Sequence, residues 1–424
     1  MRKLLLGSTA VAAAALFAPV GASAQTLSGD AFSSRLGAPL TSMRGALEVR
    51  LGGFYKAMYN RTDQDGDNSA DVRLGKSDFS NEIEIHVLAS GKAANGLRYG
   101  VALEIENDNV RVPGTIGKNG LQYDEAWAYL QGTFGQIRFG DEDGAIAQLQ
   151  SGHITGFGLG GLDSGDLNQQ VIGSNQRAQF NHVNDLGDNT KLIYLSPQFF
   201  GLDAGISFAF NNQEGALSGC DTLAAGAGST CDRLSAIVGG SNRRRNEVQA
   251  ALRWRGSFGP VGLAATVGYI GADAVKNIGG GAERLDMVWA GTAITGFGFT
   301  VGGWYTGGNG NAGFSTLQRR SATVVDDRRV DSFLVGATYT IDAFTVGGHF
   351  ARTFSAGSQT VAAGRRDTGW TVGGNYRIAP GLDLFAEYNQ VERRERGFNF
   401  AFGGNPVLNS TDTTVVLAGF RVAF

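Results

Sequence analysis

Short segments in which residue type alternates at every second position recur along this chain, and they constrain its fold more than any other feature. The last of them, TDTTVVLAGFRVAF, ends at the final residue, Phe424. A strand places successive side chains on opposite faces. One face then carries Thr414, Val416, Ala418, Phe420, Val422 and Phe424. The other carries Thr413, Val415, Leu417, Gly419, Arg421 and Ala423. Only the second face holds a charge.

A hairpin between residues 79 and 106 alternates with stronger contrast. On its first arm, FSNEIEIHVLA, the apolar face carries Ile83, Ile85 and Val87. The polar face of that arm carries Glu82, Glu84 and His86. The second arm, LRYGVALEIE, has a polar face with Arg98, Glu104 and Glu106. A single layer of strands supplies no second sheet for the apolar face to pack on, so lipid is its expected partner.

Tight turns separate these segments. They are expected at residues 91–96, 133–135, 196–201, 257–262, 295–298, 341–344 and 379–381. Each flanking arm is about as long as the roughly 9–11 residues that cross a bilayer when tilted. Counting from ALEVRLGGFYKAMYN to the C-terminal strand gives sixteen strands, with residues 176–194 ambiguous. The predicted fold class is all-β, a transmembrane antiparallel β-barrel, because closure removes exposed strand edges.

The N-terminal residues are organised like a secretory leader. Two basic residues precede an apolar stretch, and Ala22-Ser23-Ala24 forms a small-residue cleavage site. We therefore expect residues 1–24 to be a signal peptide, residues 25–46 to lead into the first strand, and residues 47–424 to form the barrel. After the leader, no apolar run approaches the roughly 18 residues of a spanning helix. The formal net charge of −3 indicates no basic stripe for nucleic acid.

Three motifs follow one another in a fixed order. Residues 124–144, DEAWAYLQGTFGQIRFGDEDG, form a strand–turn–strand unit, and residues 191–210 form a Tyr-x-Ser-Pro-x-x-x-Gly hairpin. The third motif is the terminal Phe424. In this combination the chain resembles the general porins of Gram-negative bacteria, in particular those of alphaproteobacteria. The resemblance implies an outer-membrane barrel, usually a homotrimer, that passes small hydrophilic solutes and ions by diffusion. It also implies that the assembly machinery of the outer membrane reads Phe424.

The third external loop of that family folds inward and narrows the pore, and the matching segment here is residues 141–175. This segment is Gly-rich and polar, and irregular backbone at membrane depth is tolerated where it lines a water-filled lumen. The carboxylates expected on the loop side of the constriction are Asp141, Glu142, Asp143, Asp163 and Asp166. The bases expected on the wall side are Arg50, Arg98, Arg138 and Arg177. Facing opposite charges would produce a transverse field that favours polar solutes.

Two external loops contain further candidate sites. Cys220 and Cys231, the only cysteines, lie in one Gly/Ala-rich loop, and in an oxidising compartment we expect them to form a disulfide. The loop after the first strand carries four closely spaced carboxylates that could wrap Ca²⁺, namely Asp63, Asp65, Asp67 and Asp71. This loop departs from the EF-hand pattern, so a calcium site and a solvated loop are both open. No other cofactor is expected.

The sequence indicates no enzyme. The four histidines lie far apart without His-x-x-Glu-His spacing, and the Gly-x-Gly-x-x-Gly run at residues 156–161 lacks the flanking strand and helix of a dinucleotide site. Arginine clusters beside the external loops, such as Arg243–Arg245 and Arg393–Arg394, suit lipopolysaccharide phosphates or, equally, a solvated surface. The function predicted is passive diffusion. The alternatives are a channel selective for a sugar or an anion, and a structural or adhesive barrel.

Overall fold

The chain forms one antiparallel sheet that closes on itself. A computed structural model describes residues 36–41, 47–65, 74–107, 121–163, 165–171, 180, 189–211, 244–274, 284–309, 330–355, 357, 364–401 and 407–424. A short first strand, β1, covers Leu36–Thr41. The strands that follow are β2 Glu48–Gln64, β3 Ser77–Lys92, β4 Arg98–Asn107, β5 Gln122–Gly132, β6 Gly135–Asp141, β7 Thr190–Leu195, β8 Leu202–Asn211, β9 Arg244–Phe258, β10 Val261–Ala274, β11 Leu285–Gly296, β12 Phe299–Asn309, β13 Val330–Ile341, β14 Phe344–Ser355, β15 Arg365–Ala379, β16 Leu382–Glu395 and β17 Ser410–Ala423.

Sixteen strands, β2 to β17, close the barrel when the last pairs with the first. β17 runs antiparallel to β2, and their register ends at the pair between Ala423 and Phe54. One residue further, the N–H and C=O groups of Phe424 both bond to the backbone of Gly53, at 3.1 Å. The predicted fold class and strand number are therefore confirmed. The terminal residue of the chain extends the seam of the barrel by one rung.

Each predicted turn lies where two consecutive strands meet. In the region predicted as ambiguous, the structure has the six-residue strand β7, which pairs with β6 and β8. β1 was not predicted and lies in the segment expected to lead into the barrel. It pairs with the beginning of β2, from the Leu36–Gly52 pair to the Thr41–Val49 pair. β1 therefore occupies the edge of β2 that β17 leaves open.

The two faces of the sheet differ as the alternation predicts. On β4, the outward Val101 is 50% exposed, whereas the neighbouring Ala102 is 3% exposed. Aromatic side chains stack in pairs on the outward face near the short turns. Phe344 stacks on Tyr376 with ring centroids 4.4 Å apart. An apolar outer band with aromatic residues near its borders is the surface that a transmembrane barrel presents to lipid.

The segment after β6 folds back against the side chains that face the lumen. It contains helix α1 (Ala145–Leu149), a 3-10 turn (Gly161–Asp163) and helix α2 (Gly165–Gln170). Its buried apolar side chains pack on apolar side chains of the wall in one large core. These loop side chains are Ile146, Leu149, Ile154, Phe157, Leu159, Leu162, Leu167 and Val171. In the part of the chain that the structure describes, no helix has both the length and the apolar character to cross a membrane.

Gly53 occupies a position at the seam where a side chain does not fit. Its φ is 153°, and a Cβ atom there would lie 2.2 Å from the carbonyl oxygen of Glu84 on β3. Because backbone on the neighbouring strand cannot shift without disturbing the ladder, we expect Gly53→Ala to lower the free energy of unfolding by about 1–3 kcal/mol. Urea titration of the refolded protein in detergent measures this loss. Gly75→Ala is the control, since nothing lies within 4 Å of its added Cβ; equal losses would contradict the expectation.

Candidate functional site

The inner loop, residues 142–163 and 165–171, is fixed to one strand of the wall after another. At its start, the Ala145 N–H donates to Ser207 Oγ on β8 at 3.0 Å. Further along, Ser151 Oγ lies 2.8 Å from Thr266 Oγ1 on β10. The backbone at Gly152 then meets β12 so closely that an added Cβ would lie 2.1 Å from a carbonyl oxygen. The first half of the inner loop therefore crosses the lumen side of β8 to β12.

A glycine-rich turn of the inner loop wraps around the carboxylate of Glu387 on β16. Glu387 Oε2 accepts hydrogen bonds from the Leu159 N–H at 2.7 Å and from the Gly161 N–H at 3.3 Å. Gly158, Gly160 and Gly161 all have positive φ, which glycine adopts without steric cost. The run that resembles a dinucleotide motif therefore serves to bend backbone N–H groups towards a wall carboxylate.

His349 on β14 holds the same turn from the other side. Its Nε2 accepts a hydrogen bond from the Leu162 N–H at 2.9 Å, and its Nδ1 lies 2.8 Å from the Ile154 carbonyl oxygen. A ring nitrogen that accepts carries no proton, so Nδ1 is the donor to Ile154 in this arrangement. Phe157 packs edge-on against the imidazole, with centroids 5.3 Å apart. We call Glu387, His349 and these backbone groups the loop latch.

Beyond the latch, α2 is held by a buried lysine on β2. Lys56 Nζ lies 2.9 Å from Asp166 Oδ2 on the inner loop and 2.9 Å from Glu82 Oε2 on β3. All three side chains are at most 4% exposed. Thr62 also donates to the Gln170 carbonyl oxygen at 3.2 Å. The ion pairs therefore fix the start of α2 against β2 and β3, and the Thr62 hydrogen bond fixes its end.

At its beginning, the inner loop is tied to the strand from which it emerges. Arg138 Nη1 on β6 lies 2.6 Å from Glu142 Oε1 and donates to Gln148 at 3.2 Å. The guanidinium also lies over the ring of Trp127, 4.4 Å from its centroid. Arg138 and Glu142 were both predicted at the constriction, and here they form one buried ion pair.

Five glutamates on the lumen faces of β3, β4 and β5 form what we call the acidic wall. Each is at most 6% exposed, and they are Glu82, Glu84, Glu104, Glu106 and Glu125. Glu82, Glu84, Glu104 and Glu106 alternate with apolar residues that face lipid, so the strand period alone places them inside. Lys56 contacts Glu82, and His86 contacts Glu84 and Glu104. Five carboxylates therefore line this part of the wall.

The predicted wall arginines gather nearer to the short-turn end. Arg50, Arg98 and Arg138 all lie within electrostatic range of Tyr129 on the lumen face of β5. Arg50 is also paired with Glu48 at 2.7 Å. Along β2 to β6, the lumen thus changes from arginine-rich near the short turns to carboxylate-rich further out. That gradient was not predicted.

The remaining predicted residues are placed as follows. Asp141 accepts a hydrogen bond from Thr190 Oγ1 at 2.5 Å, and Asp143 is buried. Asp163 contacts His153 within the inner loop. The sites that fall outside the described residues are Arg177, Cys220, Cys231, Asp67 and Asp71. The constriction role of every predicted residue therefore stays a prediction.

Half of the predicted calcium loop is described. Asp63 pairs with Lys76 at 2.6 Å, and Asp65 Oδ2 accepts the Asp412 N–H at 2.9 Å. These contacts connect the loop to β3 and β17. Calcium binding there stays a prediction.

Several lumen residues were missed by reasoning from the sequence. Lys56, His349 and Glu387 are absent from the sequence-based site because a hypothesis of guanidinium groups opposite loop carboxylates selects only arginines on the wall. The alternation that placed Arg50 on the lumen face also places Lys56 there, six positions later. The alternation in the sequence was therefore sufficient to predict that Lys56 faces the lumen.

Comparison with known proteins agrees with this architecture. The family model described as Gram-negative porin matches residues 9–396. Two variants of the porin of Rhodopseudomonas blastica are 16% identical to this chain, with TM-scores of 0.52 and 0.53, and each alignment covers 89% of this chain and 100% of the other. At this identity the likeness shows the fold alone. No curated protein matches the sequence significantly. Because the family model spans most of the chain, this protein belongs to the Gram-negative porins, which are channels for passive diffusion.

Proposed function

We propose that the protein forms a water-filled channel of the outer membrane, narrowed by its inner loop, through which small hydrophilic solutes and ions diffuse with a preference for cations. The observation that carries this proposal is the acidic wall on the lumen face of β3 to β5. Lumen carboxylates raise the local concentration of cations and lower that of anions. The apolar outer face supports a position in lipid.

The inner loop is the proposed constriction. It is fixed to β8, β10, β12, β14, β16 and β2, so its backbone crosses a large part of the lumen circumference. Its proposed charged side consists of Asp141, Glu142, Asp143, Asp163 and Asp166. Its proposed counterpart on the wall consists of Arg50, Arg98, Arg138 and Arg177. A loop tied at so many points would keep a constant aperture.

The proposed assembly is a homotrimer in contact with outer-membrane lipid. The Phe424 side chain is 53% exposed although its backbone is held in the seam, which supports its recognition by the assembly machinery. Arg366 and Arg394 are cross-strand neighbours at the long-loop ends of β15 and β16. Guanidinium groups at that height are suited to lipopolysaccharide phosphates.

Liposome swelling tests the proposed channel. Liposomes that contain the refolded protein are expected to swell in isotonic sugar solutions, at rates that fall steadily as the sugar becomes larger. Protein-free liposomes are the control. Failure to swell in any sugar would contradict an open channel, and swelling with one sugar alone would indicate a solute-selective channel instead.

The cation preference makes a separate prediction. In Glu106→Gln/Glu125→Gln, two lumen carboxylates become neutral while their shape is kept. A unit charge about 10 Å from the ion path contributes about 0.4 kcal/mol in water, with opposite sign for a cation and an anion. Removing two charges therefore changes the difference by about 1.6 kcal/mol, and the ratio of cation to anion permeability is expected to fall about 15-fold. Reversal potentials in a salt gradient measure this ratio. Asp78→Asn/Asp412→Asn removes two exposed charges instead, and an equal fall in that control would argue against a role for the acidic wall.

A further inference from the structure

We propose that Glu84, His86 and Glu104 form a binding site in the lumen wall for one transition-metal dication, with Zn²⁺ as the best match. One ligand atom from each of these three buried side chains lies within 4.8 Å of the other two. Among the residues that the structure describes, no other group of three or more His, Cys, Asp or Glu side chains brings its ligand atoms this close together. The proposal concerns the wall itself and does not depend on what passes through the channel.

The β3–β4 hairpin builds this site from its ladder. Glu84 and His86 are two positions apart on β3, so their side chains leave the same face. Glu104 lies directly opposite His86 in the register of β4. Side chains paired in this way have Cβ atoms about 4.5–5.5 Å apart. The tight turn after β3 fixes the register, with the Ala93 N–H donating to the Leu97 carbonyl at 2.8 Å. The three ligands are therefore positioned by rigid backbone.

The spacing of His86 and Glu104 suits a tetrahedral ion. His86 Nε2 lies 3.4 Å from Glu104 Oε2, whereas Glu84 Oε1 hydrogen-bonds directly to the same nitrogen and would move away from it to admit an ion. Two ligands that each lie about 2.1 Å from a tetrahedral ion are about 3.4 Å apart. Three protein ligands leave a fourth position for water or for a carboxylate of a passing solute.

The burial of the two carboxylates favours a dication at this place. The three side chains are 1%, 4% and 6% exposed, so two carboxylates share a poorly hydrated space with one imidazole. Buried charges are stable when they are paired or bind a metal.

The ligand set also indicates the kind of metal. Ca²⁺ and Mg²⁺ are hard cations that prefer six or more oxygen ligands. An imidazole nitrogen with two carboxylates suits Zn²⁺ and its divalent neighbours such as Co²⁺. The site is thus distinct in chemistry and place from the carboxylate loop that was predicted to bind Ca²⁺.

Zinc binding to the folded protein tests the site. The full chain, refolded in detergent and stripped with a chelator, is dialysed against ZnCl₂, and bound zinc is measured by atomic emission. We expect the wild-type chain to bind one Zn²⁺. In His86→Asn and in Glu104→Gln, we expect the affinity for Zn²⁺ to fall more than about tenfold, so that this ion is lost. Glu247→Gln is the matched control and is expected to retain the zinc, because Glu247 is an equally buried lumen carboxylate on β9.

A spectroscopic measurement distinguishes the proposed ligands from loose accumulation of cations. Co²⁺ added to the stripped protein is expected to give the intense visible absorption of a four-coordinate ion, absent in His86→Asn and present in Glu247→Gln. Circular dichroism verifies that each variant is folded. If His86→Asn does not fold, the nearly isosteric Glu104→Gln decides whether these side chains bind the metal. No zinc on the wild-type chain, or equal zinc on wild type and Glu104→Gln, would overturn the proposal.

Discussion

Replacing Asp367 by alanine is expected to lower the free energy of unfolding by about 3–5 kcal/mol. Asp367 and Arg393 face each other across β15 and β16, with Nε and Oδ1 3.0 Å apart and both side chains at most 1% exposed. Removing the carboxylate takes this charged partner away from a fully buried guanidinium. Urea titration in detergent, followed by tryptophan fluorescence, measures the loss.

An exposed ion pair provides the control for this prediction. Arg284 and Asp273 lie 2.5 Å apart but are each about half exposed, so Asp273→Ala is expected to cost only about 0–1 kcal/mol. The double variant Asp367→Leu/Arg393→Met removes both charges and is expected to recover much of the stability lost by Asp367→Ala. Losses of similar size in Asp367→Ala and Asp273→Ala would show that burial does not determine the effect.

Releasing the loop latch is the second large effect that we expect. In Glu387→Ala, the N–H groups of Leu159 and Gly161 lose a charged acceptor. Each hydrogen bond to a charged group contributes about 1.5–3 kcal/mol. The ratio of docked to undocked inner loop is therefore expected to fall by a factor of about 100 or more. Single-channel recordings should then show brief openings of larger conductance that the wild-type channel lacks.

Two variants separate the latch from a simple loss of lumen charge. Glu387→Gln keeps an oxygen acceptor and is expected to flicker less than Glu387→Ala. Glu247→Gln removes a lumen carboxylate that contacts Gln249 on its own strand, and it is expected to behave as wild type. If Glu387→Ala conducts with the same steady current as Glu247→Gln, the latch does not hold the inner loop.

The barrel could be predicted from the sequence because lipid and water act on opposite faces of a single sheet. On β4 this requirement separates Val101 from Ala102, which are adjacent in sequence but have opposite environments. The turns could be predicted as well, because each of them interrupts the two-residue alternation of apolar and polar side chains. β1 escaped prediction because LGAPLT is short and contains Gly and Pro, which weaken any strand pattern.

The path of the inner loop could not be predicted from local sequence patterns. Leu159 bonds to Glu387, 228 positions later, and no periodicity links residues at such a distance. The loop sequence is polar and Gly-rich, and this pattern indicates a role for its carboxylates. Its attachment depends equally on apolar side chains such as Ile146 and Phe157, which pack on the wall.

The cluster of Glu84, His86 and Glu104 could be predicted only in part. The face that these residues share follows from the period of β3 and β4. Their pairing needs the hairpin register as well, which the turn after β3 determines. Sequence reasoning placed them on the polar face but did not pair the two arms residue by residue.

Single-channel current across a salt gradient measures both whether the lumen is open and which ions it prefers. The wild-type protein, inserted in a planar bilayer, is expected to open in steps and to give a reversal potential with the sign of a cation-preferring channel. Steps that occur in threes would agree with the proposed homotrimer. Inserted protein that carries no current, or a reversal potential of the opposite sign, would contradict the account of an open lumen with an acidic wall.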